Sequence, residues 1–143
     1  MKQTNVNTQC QREIRLSKVF DTASSYPATL VFVAGPNANA DINRNRATST
    51  VRRTLNAKAV NDYYLFREAV KNALCAGLDA MVLDKVDVAL VARVSCGIYA
   101  GKHKHNINND FQLLVDELLA EPIGPNGEAR GRYFDRVIIP MIS

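Results

Sequence analysis

The sequence predicts a three-layer α/β fold with a mostly parallel sheet, because strand-like apolar runs alternate with amphipathic helical stretches along the chain. Three apolar runs, near residues 29–34, 87–94 and 135–140, are the candidate strands. Strands joined through a helix lie parallel with a right-handed crossover, so we expect all three runs in one sheet. A chain of 143 residues is long enough for one domain with a buried core.

Each candidate strand has its own local pattern. The stretch TLVFVAG, Thr29–Gly35, is a short β-branched run closed by glycine and proline, and the polar stretch PNANADINRNRATST after it is typical of a loop. The run VDVALVARV, residues 86–94, is nearly all apolar, as expected for a strand covered on both faces. In FDRVIIPMI, Pro140 cannot donate to a ladder, so the third strand ends there or leaves that side free.

The first helical stretch is DYYLFREAVKNALCAG. Asn61 or Asp62 can cap its start, and Gly77 suits its end, although the helix could continue towards Leu83. Its apolar side chains recur at helical spacing and predict one buried face. That face comprises Phe66, Ala69, Val70, Ala73 and Leu74.

The second helical stretch is NNDFQLLVDELLAE, and either Asn108 or Asn109 is its expected cap. A turn-rich connection, EPIGPNGEARGR, separates it from the last strand. Its predicted buried stripe comprises Phe111, Leu114, Val115, Leu118 and Leu119.

Composition excludes several classes of protein. Hydrophobic residues make up 47% and charged residues 22%, which is ordinary for a globular chain, and no apolar run approaches the roughly 18 residues of a membrane span. Three cysteines, Cys10, Cys75 and Cys96, form no CxxC pair and no zinc-type spacing. We therefore expect reduced thiols, no metal, no cofactor, no membrane contact and a cytoplasmic location.

Basic residues are concentrated in two places. Residues 41–58 hold four arginines and a lysine against the single acid Asp41, and KHKH, residues 102–105, follows a glycine-rich loop. Such clusters favour phosphate-bearing partners, nucleic acid included, but they are also common in solvated loops. We expect His103 and His105 to be exposed.

The stretch SCGIYAG, Ser95–Gly101, lies where the second strand should end. Ligands of parallel α/β sheets bind beyond the carboxyl ends of the strands, and glycines there let backbone amides turn towards a phosphate. Tyr99 offers a flat ring to a sugar. The pattern is neither GxGxxG nor a P-loop, so a purely structural turn at the strand exit remains the alternative.

Two segments together resemble macro domains, the ADP-ribose-binding α/β fold, and most closely their microbial-type poly(ADP-ribose) glycohydrolase branch. Ala34-Gly35-Pro36-Asn37 is similar to the family's first strand-end motif, and residues 96–101 resemble its second. The likeness covers about residues 29–142 and implies a three-layer α/β/α macro-domain-like sheet, or the C-terminal portion of one. Residues 1–28 would then be an N-terminal extension or partial element, and residues 29–143 the macro-domain-like, ADP-ribose-binding region.

The resemblance also implies a binding site. The amides of the loop would wrap the diphosphate of ADP-ribose, Tyr99 would lie against the distal ribose, and Asn37 would shape the adjacent wall. Cys96 would be a small residue at a crowded turn and not a nucleophile. The ligand-binding residues it implies are Asn37, Ser95, Cys96, Gly97, Ile98, Tyr99, Ala100 and Gly101.

Catalysis is where the chain departs from the family. The family's Gly-Gly-Gly and Gln-Glu-Glu segments have no counterpart here. Hydrolysis needs a positioned carboxylate or water, and Asp41 is the candidate, although a capping or loop role suits it equally. The family implies an ADP-ribosyl glycohydrolase acting on ADP-ribosylated protein, and we expect this chain to bind better than it hydrolyses.

Two other classes of function stay open. One is a non-catalytic nucleotide or nucleic-acid module, in which basic side chains contact phosphates and Tyr63 or Tyr64 stacks on bases. No reading helix or known nucleic-acid motif supports it. The other is a protein-interaction fragment in which the glycine loop is structural. The phosphate contacts of the first class would come from Arg44, Arg46, Arg52, Arg53, Lys102 and Lys104.

Overall fold

The structure, a computed structural model, describes residues 12–15, 27–39 and 59–141. These residues form four strands, two α-helices and two short 3-10 helices. In chain order they are β1 (Arg12–Arg15), β2 (Pro27–Leu30), α1 (Tyr63–Leu83), β3 (Val88–Leu90), the first 3-10 helix (Ile98–His103), α2 (Lys104–Ala120), the second 3-10 helix (Arg130–Tyr133) and β4 (Arg136–Ile138).

Strands β3 and β4 pair in parallel, as the sequence predicts for the runs at 87–94 and 135–140. Val88 is opposite Arg136 and Leu90 is opposite Ile138, and one further hydrogen bond runs from Val91 N to Ile138 O (2.8 Å). The ladder ends before Pro140, which has no amide hydrogen to donate. The α/β character of the chain, with a parallel strand pair joined through α2, is therefore confirmed.

The prediction that the run at 29–34 belongs to the same sheet is wrong, because strand β2 does not pair with β3 or β4. Strand β2 pairs antiparallel with β1 in a separate two-stranded sheet. Periodicity indicates that a segment is extended, but it does not specify which neighbour accepts its backbone hydrogen bonds. The pairing of β2 with β1, whose nearest partners are Arg15 and Pro27, therefore left no signal in the pattern of the run itself.

The chain from β2 onward nevertheless runs in the same direction as β3. The Thr29 hydroxyl donates to the Asp84 carboxylate, which precedes β3, and Gly35 packs against Val94 and Ser95, which follow it. This course brings the carboxyl end of the first apolar run beside the carboxyl end of β3. Two loops are thereby placed side by side at one end of the fold.

Helix α1 starts at the predicted cap and extends to the further of its two predicted ends. Asp62 Oδ1 accepts hydrogen bonds from the amides of Tyr64 (2.9 Å) and Leu65 (3.2 Å). Gly77 lies inside the helix and does not end it. It is buried at a position where a Cβ would lie 2.8 Å from Val33 Cγ2. The glycine thus allows close packing. The buried face of α1 comprises Phe66, Val70, Leu74, Gly77, Leu78 and Ala80.

Helix α2 begins earlier than predicted, and neither Asn108 nor Asn109 caps it. The first 3-10 helix leads directly into α2 at Lys104, so the predicted caps lie inside the helix. The Asn108 side-chain amide instead donates to Cys96 O (3.1 Å) and Lys104 O (2.8 Å). The buried residues of α2, which confirm the predicted stripe except for half-buried Leu119, are Ile107, Phe111, Leu114, Val115 and Leu118.

In the described part of the chain, only one face of the β3–β4 pair is covered. Ala89 is fully buried and belongs to the core formed with α1 and α2, whereas Val88 and Leu90 are 52% and 62% exposed. The expectation of a strand covered on both faces is therefore wrong for these residues. An apolar run of this kind does not distinguish one covered face from two, since exposed apolar side chains are common on protein surfaces.

A buried arginine joins the two helices to the second 3-10 helix. Arg130 is 3% exposed, and its guanidinium pairs with Asp79 Oδ1 (2.8 Å) and Glu121 Oε2 (3.0 Å). It also donates to the carbonyl of Leu118. The cation is therefore surrounded by acceptors from α1 and from the end of α2, as a buried charge requires.

Candidate functional site

The glycine loop lies at the carboxyl end of β3, where the sequence places it. Ser95 has a positive φ of 57°, and Gly101 interrupts the first 3-10 helix with φ 52° and ψ −129°. These two left-handed residues turn the chain sharply between β3 and α2. Residues 96–100 are held between the two turns.

A second loop, residues 36–39, is clasped to the glycine loop by three hydrogen bonds. Ser95 Oγ donates to Pro36 O (2.7 Å), Ala38 N donates to Tyr99 O (2.7 Å), and Asn39 Nδ2 donates to Ile98 O (3.1 Å). The structure thus brings together the two motifs that carry the resemblance to macro domains. We refer to these three bonds as the loop clasp.

The two central glycines have different surroundings. A Cβ on Gly101 would lie 2.5 Å from Ala38 O, so any side chain there would push the second loop away. A Cβ on Gly97 would meet nothing within 4 Å. Gly101 is therefore needed for close approach of the loops, whereas Gly97 faces open space.

An open cavity of about 480 Å³ lies beside the clasp, within the usual size range of small-molecule sites. Three of its lining residues are predicted ligand-binding residues, namely Gly97, Ile98 and Gly101. Among the described residues, its lining holds two lysines and no acidic side chain. The described residues that line it are Ala38, Asn39, Val60, Gly97, Ile98, Gly101, Lys102 and Lys104.

The other predicted ligand-binding residues do not line the cavity. Ser95 is engaged in the loop clasp, and Ala100 is fully buried. Asn37 Oδ1 accepts from Asn39 N (2.9 Å), which shapes the turn of the second loop. Tyr99 is 44% exposed, and its ring lies outside the cavity.

Cys96 has the environment of an inert structural thiol. It is almost fully buried, and its Sγ lies 3.4 Å from Val94 O. Burial raises the pKa of this thiol to about 11, although the nearby Arg93 charge acts in the opposite direction. A protonated, buried thiol is a poor nucleophile, in agreement with the structural role that the resemblance implies.

His103 corrects the expectation that both histidines are exposed. It is 5% exposed, its Nε2 lies 2.8 Å from Ala59 O, and its ring stacks on Phe66 with centroids 5.3 Å apart. The sequence carried a signal for this, because His103 lies four residues before Ile107 on the buried stripe of α2. His105 is exposed, as expected, with its Nε2 3.1 Å from the Asn109 side-chain amide.

Lys102 and Lys104 alternate with the histidines and face the cavity. No carboxylate of residues 27–39 or 59–141 forms an ion pair with either lysine. The alternation of KHKH thus directs His103 into the core and both lysines to the site.

Several predicted residues lie outside the described part of the chain. They include the catalytic candidate Asp41 and the first basic cluster. The described arrangement places two ammonium groups beside the cavity, which suits an anion, whereas the amides of Cys96 and Ala100 donate to Arg93 O and Gly97 O. The arginines outside it are Arg44, Arg46, Arg52 and Arg53.

No cluster of side chains suited to a metal ion is present in residues 27–39 and 59–141. None of the described helices combines the length and hydropathy that a membrane crossing requires. Comparisons with family models, with curated proteins and with solved structures found no match. Function is therefore inferred from the cavity and from the two loops beside it.

Proposed function

We propose that this chain is an ADP-ribose-binding module of the macro-domain type, related to ADP-ribosyl glycohydrolases and acting in the cytoplasm on ADP-ribose or ADP-ribosylated protein. The observation that carries the proposal is the loop clasp, which joins the two motifs of the resemblance beside an open cavity. A complete three-layer α/β/α arrangement is part of the proposal.

The chemistry of the cavity supports an anionic ligand with an apolar part. Gly97 leaves the backbone accessible, and Lys102 and Lys104 add positive charge, with no acid in the described part of the lining. Val60 and Ile98 supply apolar surface. Such a combination of apolar wall and few polar groups suits a nucleotide diphosphate.

We propose that the chain binds ADP-ribose well but hydrolyses ADP-ribosylated protein slowly. The chain lacks the family's Gly-Gly-Gly and Gln-Glu-Glu segments, and no acid of residues 27–39 or 59–141 lines the cavity. Holding a diphosphate lowers a reaction barrier only when the transition state is bound more tightly than the ground state. Without a positioned carboxylate, the roughly 10²- to 10⁴-fold contribution of general acid–base catalysis is missing.

Any residual hydrolysis would use Asp41. We expect release of free ADP-ribose from an ADP-ribosylated protein to be slow, and Asp41→Ala to abolish it without weakening ADP-ribose binding. Following that release with the pure chain and with the variant tests the assignment. Fast turnover that survives Asp41→Ala would place the active site elsewhere.

Calorimetric titration with ADP-ribose tests the binding proposal. Gly97→Val projects an isopropyl group into open space, so it should abolish binding while circular dichroism shows an intact fold. Ala120→Val is a control, because it places the same valine side chain at an exposed position at the far end of α2. Normal ADP-ribose binding by Gly97→Val would refute the loop assignment.

The same two lysines favour, as a second candidate, a module that binds phosphates of nucleotides or nucleic acid. AMP and a short oligonucleotide are therefore included in the titration. Tighter binding of the oligonucleotide than of ADP-ribose, with a steep salt dependence, would support the second candidate. A glycine loop of purely structural importance would leave all three ligands unbound.

A further inference from the structure

Two ammonium groups lie in the lining of the cavity beside the glycine loop. Lys102 and Lys104 both line it, and neither is paired with a carboxylate in residues 27–39 or 59–141. Arg67, Lys71 and Arg130, in contrast, all have carboxylate partners. Uncompensated cations beside a concave surface raise the local concentration of anions and select for ligand charge.

The position of Tyr99 indicates which part of the ligand meets these lysines. In the proposed function Tyr99 lies against the distal ribose, and its ring is outside the cavity. The cavity is therefore left for the adenosine half of the ligand. Its apolar wall, formed by Ala38, Val60 and Ile98, suits that half, and the lysines lie on the same lining.

We infer that the site prefers an ADP-ribose whose adenosine half carries a further phosphate monoester, with Lys102 and Lys104 as the partners of that phosphate. The inference rests on the proposed function. A phosphate monoester has a charge of about −1.5 to −2 at neutral pH, which two ammonium groups match. A lysine ammonium group binds phosphate as a point charge on a flexible side chain. The two lysines therefore do not need the fixed bidentate geometry with which arginine binds phosphate.

Comparing ADP-ribose with 2′-phospho-ADP-ribose by calorimetry tests the inference, because the two differ only in that phosphate. The wild-type chain should bind the phosphorylated ligand about tenfold more tightly, as expected for two partly exposed ion pairs. The preference should shrink as the salt concentration rises. The ratio of the two dissociation constants is the readout.

The variant Lys102→Gln/Lys104→Gln should reduce that ratio to about one. Arg132→Gln/Arg136→Gln removes the same charge from exposed positions that are not in the cavity lining, so it should preserve the ratio. Circular dichroism on both variants establishes that each is folded. A long-range effect of net charge would change both variants alike and would overturn the assignment to the cavity lysines.

The outcomes separate the two levels of the proposal. If ADP-ribose binds and its phosphorylated form binds no more tightly, the inference is overturned and the proposed function stands. A preference that survives Lys102→Gln/Lys104→Gln overturns the role of the lysines. Failure of the wild-type chain to bind either ligand refutes the proposed function and this inference with it.

Discussion

Gly97 and Gly101 show how two residues of one type serve the site differently. Gly101 combines a left-handed backbone with close contact to Ala38 O, whereas Gly97 faces the cavity. We predict that Gly101→Ala lowers the free energy of unfolding by about 2 kcal/mol, because it strains the backbone and opens the loop clasp. Gly97→Ala should cost about 1 kcal/mol or less. Urea unfolding of both variants measures the difference, and equal losses would contradict the assigned roles.

Cys96 provides a chemical test of the loop's burial. With Cys10→Ser and Cys75→Ser in place, Cys96 is the remaining thiol. Its pKa of about 11 leaves roughly one thiolate in a thousand at pH 8, so labelling by a thiol reagent should be slow in the folded chain. Labelling should become fast in denaturant. Equal rates in both conditions would show that the loop is open.

The position of the glycine loop follows from the sequence, but the loop clasp does not. Glycines after a buried apolar run indicate a strand-exit loop, and the loop is where they indicate. The loop clasp joins segments nearly sixty residues apart, as in the bond from Ser95 to Pro36. Contacts of that range leave no local periodicity. The inward position of His103 was detectable, since it extends the stripe of α2.

A ladder of ion pairs joins α1 to α2. Lys71 Nζ lies 3.3 Å from carboxylate oxygens of both Glu117 and Glu121, and Arg67 Nη2 lies 2.9 Å from Glu117 Oε1. The hydrogen bond from Arg67 chiefly lowers the pKa of Glu117. For Glu121, burial acts to raise the pKa, but hydrogen bonds from Arg130 and Lys71 outweigh it and the pKa is lowered.

These lowered pKa values predict a loss of stability in acid. The folded state releases both protons more readily than the unfolded state, so the contribution is fully present above the ordinary pKa of 4.5. It is lost as the pH falls through the lowered values. Urea unfolding from about pH 6 to about pH 3 should show the decline. Glu117→Gln/Glu121→Gln should flatten it, and an unchanged slope would contradict the account of the ladder.

Among the contacts between elements, those of Arg130 are expected to contribute most to the free energy of unfolding. Arg130→Ala removes a buried cation from Asp79 and Glu121 and leaves the Leu118 carbonyl without its donor. We expect the free energy of unfolding to fall by about 3 kcal/mol, the lower end for a buried pair, because both carboxylates reach solvent. The exposed Arg132→Ala is the control and should cost about 0.5 kcal/mol or less. Similar losses in urea for both would contradict the structural role.

The local sequence pattern predicts some features of the helices and strands better than others. The buried stripes of α1 and α2 were largely predictable, because helical periodicity and core burial coincide. Ala69 and Ala73 of the predicted α1 face are an exception, since both are only half-buried. Helix ends were harder: Gly77 is a packing residue inside α1, and α2 begins in a 3-10 turn rather than at an asparagine cap. Strand β3 is only three residues long within a nine-residue apolar run. Its length is set by its partner β4, since the paired ladder between them is three residues long on each strand.

At the scale of the molecule, the site arises where two chain segments finish together. The segment beyond β2 and strand β3 run in the same direction, so their exit loops meet beside the start of α2. That is the position at which parallel α/β folds bind ligands. The lysines at residues 102 and 104 reach the cavity because the first 3-10 helix passes directly into α2.

Amide chemical-shift mapping of the isotope-labelled chain during titration with ADP-ribose tests the binding site most directly. The predicted result is saturable shifts concentrated at residues 37–39 and 95–101, with the buried residues of α1 and α2 little changed. Gly97→Val should eliminate those shifts and Ala120→Val should retain them. No shifts at a large excess of ADP-ribose, or shifts confined to the distant turn at residues 124–133, would contradict an ADP-ribose site at the glycine loop.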